Sequence, residues 1–259
     1  SICLAYLGAA VWVICMGVPT ILMCSCIRLI GGGYTQCNLF LGERWGGFYL
    51  AIYVLSQMGL TLYAQTFALY FCELIGGGNE KIIAALMITF FYVLNFFGVD
   101  FMSKAQNLMT AALLLALVWF TVRGLPRVNW STFFGGEGWM TGGIKGLFAT
   151  STLLTYSLMG ATSLMPYSAQ AKNPQRDIPL AGAISTVAIA ILFALMGIVA
   201  SGILPLDQVA NQTLGVIARH IFTQPEYVFF MVGGALCAAA TTLNGTIGSV
   251  TKPLVMMSH

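Results

Sequence analysis

The amino-acid sequence predicts an all-α protein, a polytopic helical membrane protein with seven membrane-crossing helices of which one is discontinuous. Three observations lead there. Of 259 residues, 58% are hydrophobic and 7% charged, whereas soluble domains carry about 25% charged residues. Residues other than Asp, Glu, Lys and Arg form seven runs, 1–27, 45–72, 82–99, 105–122, 146–171, 178–206 and 227–251, each as long as the roughly 18 to 20 residues a helix needs to cross about 30 Å of hydrocarbon. None of them alternates apolar and polar residues with period two, which argues against a barrel.

The first run starts at Ser1 without an initiator Met, and the chain stops at His259 just beyond the seventh. We therefore expect a fragment truncated at both ends, treated as one transmembrane domain over 1–259 because no linker or low-complexity stretch divides it. Alternate crossing places Arg28, Arg44, Lys104, Lys172, Arg176 and Lys252 on one face of the membrane and Lys81, Arg123, Arg127, Lys145 and Arg219 on the other. The slight excess leans the first face toward the cytoplasm. On the outer face, "NQTLGVIARHIF" reads as a short amphipathic helix, with Leu214, Ile217 and Ile221 on one side and Asn211 or Thr213 placed to cap it.

Catalytic chemistry finds no support. The seven cysteines lie in or beside apolar runs without a C-x-x-C pair, and His220 and His259 fall outside the spans. No metal site, cofactor or nucleic-acid partner is expected, and neither a nucleophile elbow, a zinc-protease motif nor a P-loop occurs. The chain is not read as an enzyme; its partners are a lipid bilayer and a small cargo.

The fifth run carries the main functional signal. It reads "TYSLMGATSLMPYSAQAKNPQRDIP" from Thr155 to Pro179, with Gly160 and Pro166 ahead of any charge. In hydrocarbon an unpaired backbone N–H or C=O costs several kcal/mol, so a break survives only where protein or a watery cavity receives the freed groups. Transporters place such breaks near the midplane, where helix ends bind charged cargo. The alternative is that Gly160 admits a neighbouring helix and Pro166 makes a kink. After it, Asn173-Pro174 should end a helix, and Asp177 should cap the next.

Two further polar groups stand on apolar spans. Tyr63, Thr66 and Tyr70 follow i, i+3, i+7 spacing and line either a permeation path or a helix contact. Ala238, Thr241, Gly245 and Ser249 make a small-residue face that explains close packing; Thr241, Thr242 and Asn244 also offer the hard oxygens that an alkali cation prefers.

The words "AKNPQRDIP" (171–179) closely resemble the loop after helix six of amino acid permeases in the amino acid, polyamine and organocation (APC) superfamily. "IGGGYTQCNLFLGERWGGF" (30–48), "NFFGVDFMSKAQNLMT" (95–110) and "TTLNGTIGSVTK" (241–252) resemble the same family's loop between helices two and three, start of helix five, and helix eight. The resemblance implies helices two to eight of a LeuT-like fold, which is built on a five-helix inverted repeat. It also implies secondary transport of an amino acid or related amine, by permease or exchanger, through alternating access at the plasma (inner) membrane. Cargo would be held at Tyr156, Ser157, Leu158, Met159, Gly160, Ala161 and Thr162, with Tyr63 and Thr66 beside the path and an ion site at Thr241, Thr242 and Asn244. Na+ or H+ is the coupling ion the resemblance allows, although Leu113 stands near the position where some proton-coupled members carry a lysine. The rival reading is a seven-helix receptor or sensor without transport.

Overall fold

The structure, a computed structural model, describes residues 2–27, 32–95, 99–130, 133, 142–160, 173–204 and 213–257, and among these every regular element is helical with no strand. Five of the described helical stretches are long and apolar enough to cross a membrane: Ile2–Met23, Glu43–Ile75, Ser103–Arg127, Pro174–Gly202 and Gln224–Val250. They cover the first, second, fourth, sixth and seventh runs. The third and fifth runs hold helices of 16 residues each, Glu80–Asn95 and Gly143–Leu158. Packing divides the chain into two units, Ser1–Gly32 with Phe120–Ile221, and Gly33–Trp119 with Phe222–His259.

In the first unit α1 (Ile2–Cys26) lies against α7 (Gly143–Leu158) and α8 (Pro174–Gly202). The approach is close because the facing residues are small. A Cβ on Gly8 would sit 2.8 Å from Ser151 Oγ, and one on Gly197 would sit 2.7 Å from a methyl carbon of Ile2. Ala5, Ala9, Ala10 and Val13 complete the buried stripe of α1. Lipid offers no hydrophobic drive between helices, so such stripes let dispersion contacts hold them together.

The start of α8 departs from expectation. Pro174 is itself the first helical residue, so the helix begins three residues before Asp177, which lies inside the first turn. Proline is preorganised for that position and has no N–H to leave unpaired there. Asp177 still serves the helix end, since its carboxylate accepts the Asn173 N–H at 3.2 Å.

The short outer helix forms as α9 (Leu214–Ile221), with Ile217 and Ile221 fully buried and Thr213 just before it. Its last carbonyls, His220 O and Ile221 O, both accept from the Arg127 guanidinium, which extends from the turn Leu125–Arg127 after α6 (Val99–Gly124). A cation at a helix C-terminus also meets the negative end of the helix dipole. Arg127→Ala should cost α9 about 1 to 2 kcal/mol, seen as faster hydrogen exchange at residues 214–221; unchanged protection there would show that packing alone holds this helix.

The second unit contains α2 (Gly33–Leu41), α3 (Glu43–Ser56), α4 (Leu60–Ile75), α5 (Glu80–Asn95), most of α6, α10 (Gln224–Phe229) and α11 (Cys237–Met257). A single 3-10 turn, Gln57–Gly59, joins α3 to α4 without leaving helical backbone angles, so the second run is one rod. Left-handed Gly76 (φ +84°) then caps α4 and turns the chain into α5. Ala64, Phe67 and Ala68 of α4, Ala84 and Phe91 of α5, and Leu236, Ala239, Ala240 and Leu243 form the core. Between α10 and α11 the chain winds as a π-helix, Phe230–Leu236, where a Cβ on Gly233 would lie 3.4 Å from the Ala112 carbonyl of α6.

Candidate functional site

The fifth run stops being an α-helix at its middle. The run extends from 146 to 171, and α7 closes at Leu158. Met159 leaves helical geometry (φ −69°, ψ 22°) and donates its N–H to Tyr156 O, an i to i−3 bond in place of the α-helical one. The 16 residues of α7 rise about 24 Å at 1.5 Å per residue, against ~30 Å of hydrocarbon. The terminus that results is a C-terminal one, where backbone carbonyls carry the negative end of the dipole.

Packing helps fix where that terminus sits. Leu158 is buried in a cluster with Ala9, Ala10 and Val13 of α1 and Ala190 of α8, with Met159 and Leu154 at its edge. The Leu158 side chain is therefore committed to the helix contact. Ser157 Oγ donates to Leu154 O at 2.7 Å, and Tyr156 lies on the exposed side of α7. Gly160 has no described atom within 4 Å of the position a Cβ would take. Ala161 and Thr162 lie outside the described residues.

The other expected site residues belong to the second unit. Tyr63 is half-buried against the α4–α5–α11 core. Thr66 is exposed and gives its hydroxyl proton to Leu62 O within its own helix, at 2.8 Å. In α11, Thr241 Oγ1 and Thr242 Oγ1 both donate to Ala238 O at 2.9 Å. Asn244, 5% exposed, donates through Nδ2 to Gln106 Oε1 of α6 at 2.7 Å, and Gln106 Nε2 donates to Thr241 O at 3.2 Å. Asn244 Oδ1 is buried and has no hydrogen-bond partner among the described residues. Gln106 was not singled out by sequence; its one signal is an amide side chain within an uncharged run.

These helices bury small residues and expose large apolar ones, among them Val11, Leu62, Leu115 and Ile184. That distribution suits a hydrocarbon surrounding, and the class of the chain follows: an integral, multi-pass membrane protein. Residues 1–254 match the amino acid permease family, and the chain belongs to it. It is 26% identical over 178 residues to the vacuolar cationic amino acid transporter 4 of Arabidopsis thaliana, covering 68% of this chain and 29% of that one. It is 24% identical over 250 residues to the serine/threonine exchanger SteT of Bacillus subtilis, covering 88% of this chain and 53% of the relative. The methylthioribose transporter of Bacillus subtilis is 25% identical over 259 residues, covering 90% and 52%. The chain thus spans about half the length of the two bacterial relatives and less of the plant one.

Proposed function

We propose that this chain is part of a secondary transporter that carries amino acids or related amines by alternating access, and that residues 1–259 act as one transport domain. The observation that carries the reading is the closure of α7 at Leu158, at the middle of an uncharged run. A helix C-terminus is a partial negative charge, so Tyr156, Ser157, Leu158, Met159 and Gly160 suit the ammonium of a cargo better than its carboxylate. Ala161 and Thr162 continue that segment. Tyr63 and Thr66 border the path, and Thr241, Thr242 and Asn244 supply oxygens for a coupling ion, Na+ being better matched than H+ because none of the three titrates near neutral pH. The protein resides in the plasma (inner) membrane in this reading, although one named relative is vacuolar.

Family membership supports amino acid transport in general, while the differing cargoes of the relatives leave the particular one to experiment. The full-length protein in proteoliposomes should take up L-arginine, L-serine or L-leucine saturably. Absence of saturable uptake of all three, with and without sodium and proton gradients, would overturn the transporter reading; binding without flux would favour a sensor.

A further inference from the structure

The backbone of the seventh run is wound in two ways, and the change of winding falls between two tied points. Where the π-helix Phe230–Leu236 begins, the Phe230 N–H still donates to Glu226 O, the α-helical carbonyl four residues back. Where it ends, the Cys237 N–H is shared between Val232 O, five residues back, and Gly234 O, three back. The Gly233 carbonyl that an α-helix would use for that bond is passed over. Before the segment, the Tyr227 hydroxyl donates to Glu73 of α4 at 3.3 Å; beyond it, Asn244 donates to Gln106 of α6 at 2.7 Å.

Two adjacent glycines, Gly233 and Gly234, lie inside this segment, although glycine is a poor helix former. Close packing does not demand them. In the first unit a Cβ on Gly8 or Gly197 would come to 2.8 or 2.7 Å of a neighbouring side chain. One on Gly233 would stand 3.4 Å from the Ala112 carbonyl oxygen, and one on Gly234 would stand 3.5 Å from Ala116 Cβ, both ordinary contacts. What the pair supplies is backbone freedom. π-bulges are among the few places where long helices kink, and they are frequent at functional sites. We propose that Phe230–Leu236 is a winding hinge of the transport cycle, at which α11 turns relative to α10. The hinge rests on the transporter reading. Rewinding the segment as α-helix adds about one residue's share of a 3.6-residue turn, ~100°, so α11 rotates while Tyr227 stays on Glu73. The same step carries Asn244 away from Gln106, which makes that amide contact the one the motion opens.

The test uses full-length protein in proteoliposomes, with L-arginine, L-serine and L-leucine as probes. Deleting Gly234 shortens the segment by the one residue that π-winding accommodates, so the helix closes as α with α10 and α11 both in phase. The melting midpoint in detergent should stay within about 2 °C of wild type. Equilibrium binding should stay within about twofold, while flux falls about tenfold or more. Deleting Ala239 from the regular part of α11 should instead turn Asn244 off Gln106 by ~100° and lower the midpoint by about 5 °C or more. Gly233→Ala combined with Gly234→Ala, for which there is room, should raise the midpoint by about 2 to 4 °C and slow flux as the Gly234 deletion does. Normal flux in both Gly234 variants overturns the hinge. So does a Gly234 deletion as unstable as the Ala239 one, which makes the π-winding a packing requirement, and so does binding lost in step with flux. Hydrogen exchange keeps the two readings apart. In wild type the amides of 231–237 should exchange about tenfold or more faster than those of 239–245, and the double alanine variant should remove the difference. That difference without flux of any probe removes the transporter reading and leaves the hinge; flux without the difference removes the hinge alone.

Discussion

Gly160→Leu is expected to leave the protein folded and inserted while lowering cargo affinity by about tenfold or more, equivalent to at least ~1.4 kcal/mol. Its φ is not left-handed, and no described atom lies within 4 Å of a Cβ there. In the proposed site, the new side chain would stand just past Met159, beside the carbonyl end of α7. Two measurements separate this from a packing role. Equilibrium binding of radiolabelled L-arginine, L-serine and L-leucine should fall, while the melting midpoint in detergent stays within about 2 °C of wild type, a shift small enough to be less than ~1 kcal/mol. A leucine variant that binds normally would remove Gly160 from the site. One that fails to insert would instead make Gly160 a helix-contact residue.

Leu158→Ala should do the opposite, reducing stability first and affinity as a consequence. Leu158 is 4% exposed and fills the space between Ala9, Ala10 and Val13 of α1 and Ala190 of α8. The neighbours are too small to collapse into the cavity, which places the loss in the usual range of about 2 to 5 kcal/mol for buried Leu→Ala. Because that side chain anchors the last residue of α7, cargo binding should weaken together with the melting midpoint. Leu158→Met, of similar volume, should restore both. If affinity fell in the Ala variant with the midpoint unchanged, Leu158 would be contacting cargo directly, and its side chain would have to leave the α1–α8 cluster.

The contrast between these two neighbours shows how far the sequence could be read. The sequence signal for a break was Gly160 and Pro166 inside an apolar stretch; the structure closes α7 two residues before that glycine, and Pro166 lies outside the described residues. Which of the adjoining side chains are available was not visible, because Leu158 and Tyr156 are both apolar-compatible residues on one helix and only the contact with α1 buries the first and leaves the second exposed. The Asp177 misplacement has a similar origin. An acidic residue before a proline reads as a cap, but Pro174 was the stronger start signal, and Asp177 reaches back to Asn173 from inside the first turn. Gln106 escaped notice because an amide beside another in an apolar run carries no helical spacing; its contact appears once Asn244, far along the chain, is placed beside it.

Composition and run length alone were sufficient for an all-helical, membrane-crossing chain, since the penalty for burying charge and unpaired backbone in lipid acts on each segment separately and leaves its mark in every run. Which helices share a unit, that α7 is held by α1 and α8, and that Asn244 must turn its nitrogen to Gln106 and its oxygen elsewhere all depend on contacts between residues distant in the chain. Such pairings come from side-chain fit and hydrogen-bond direction, and neither is encoded in local hydropathy.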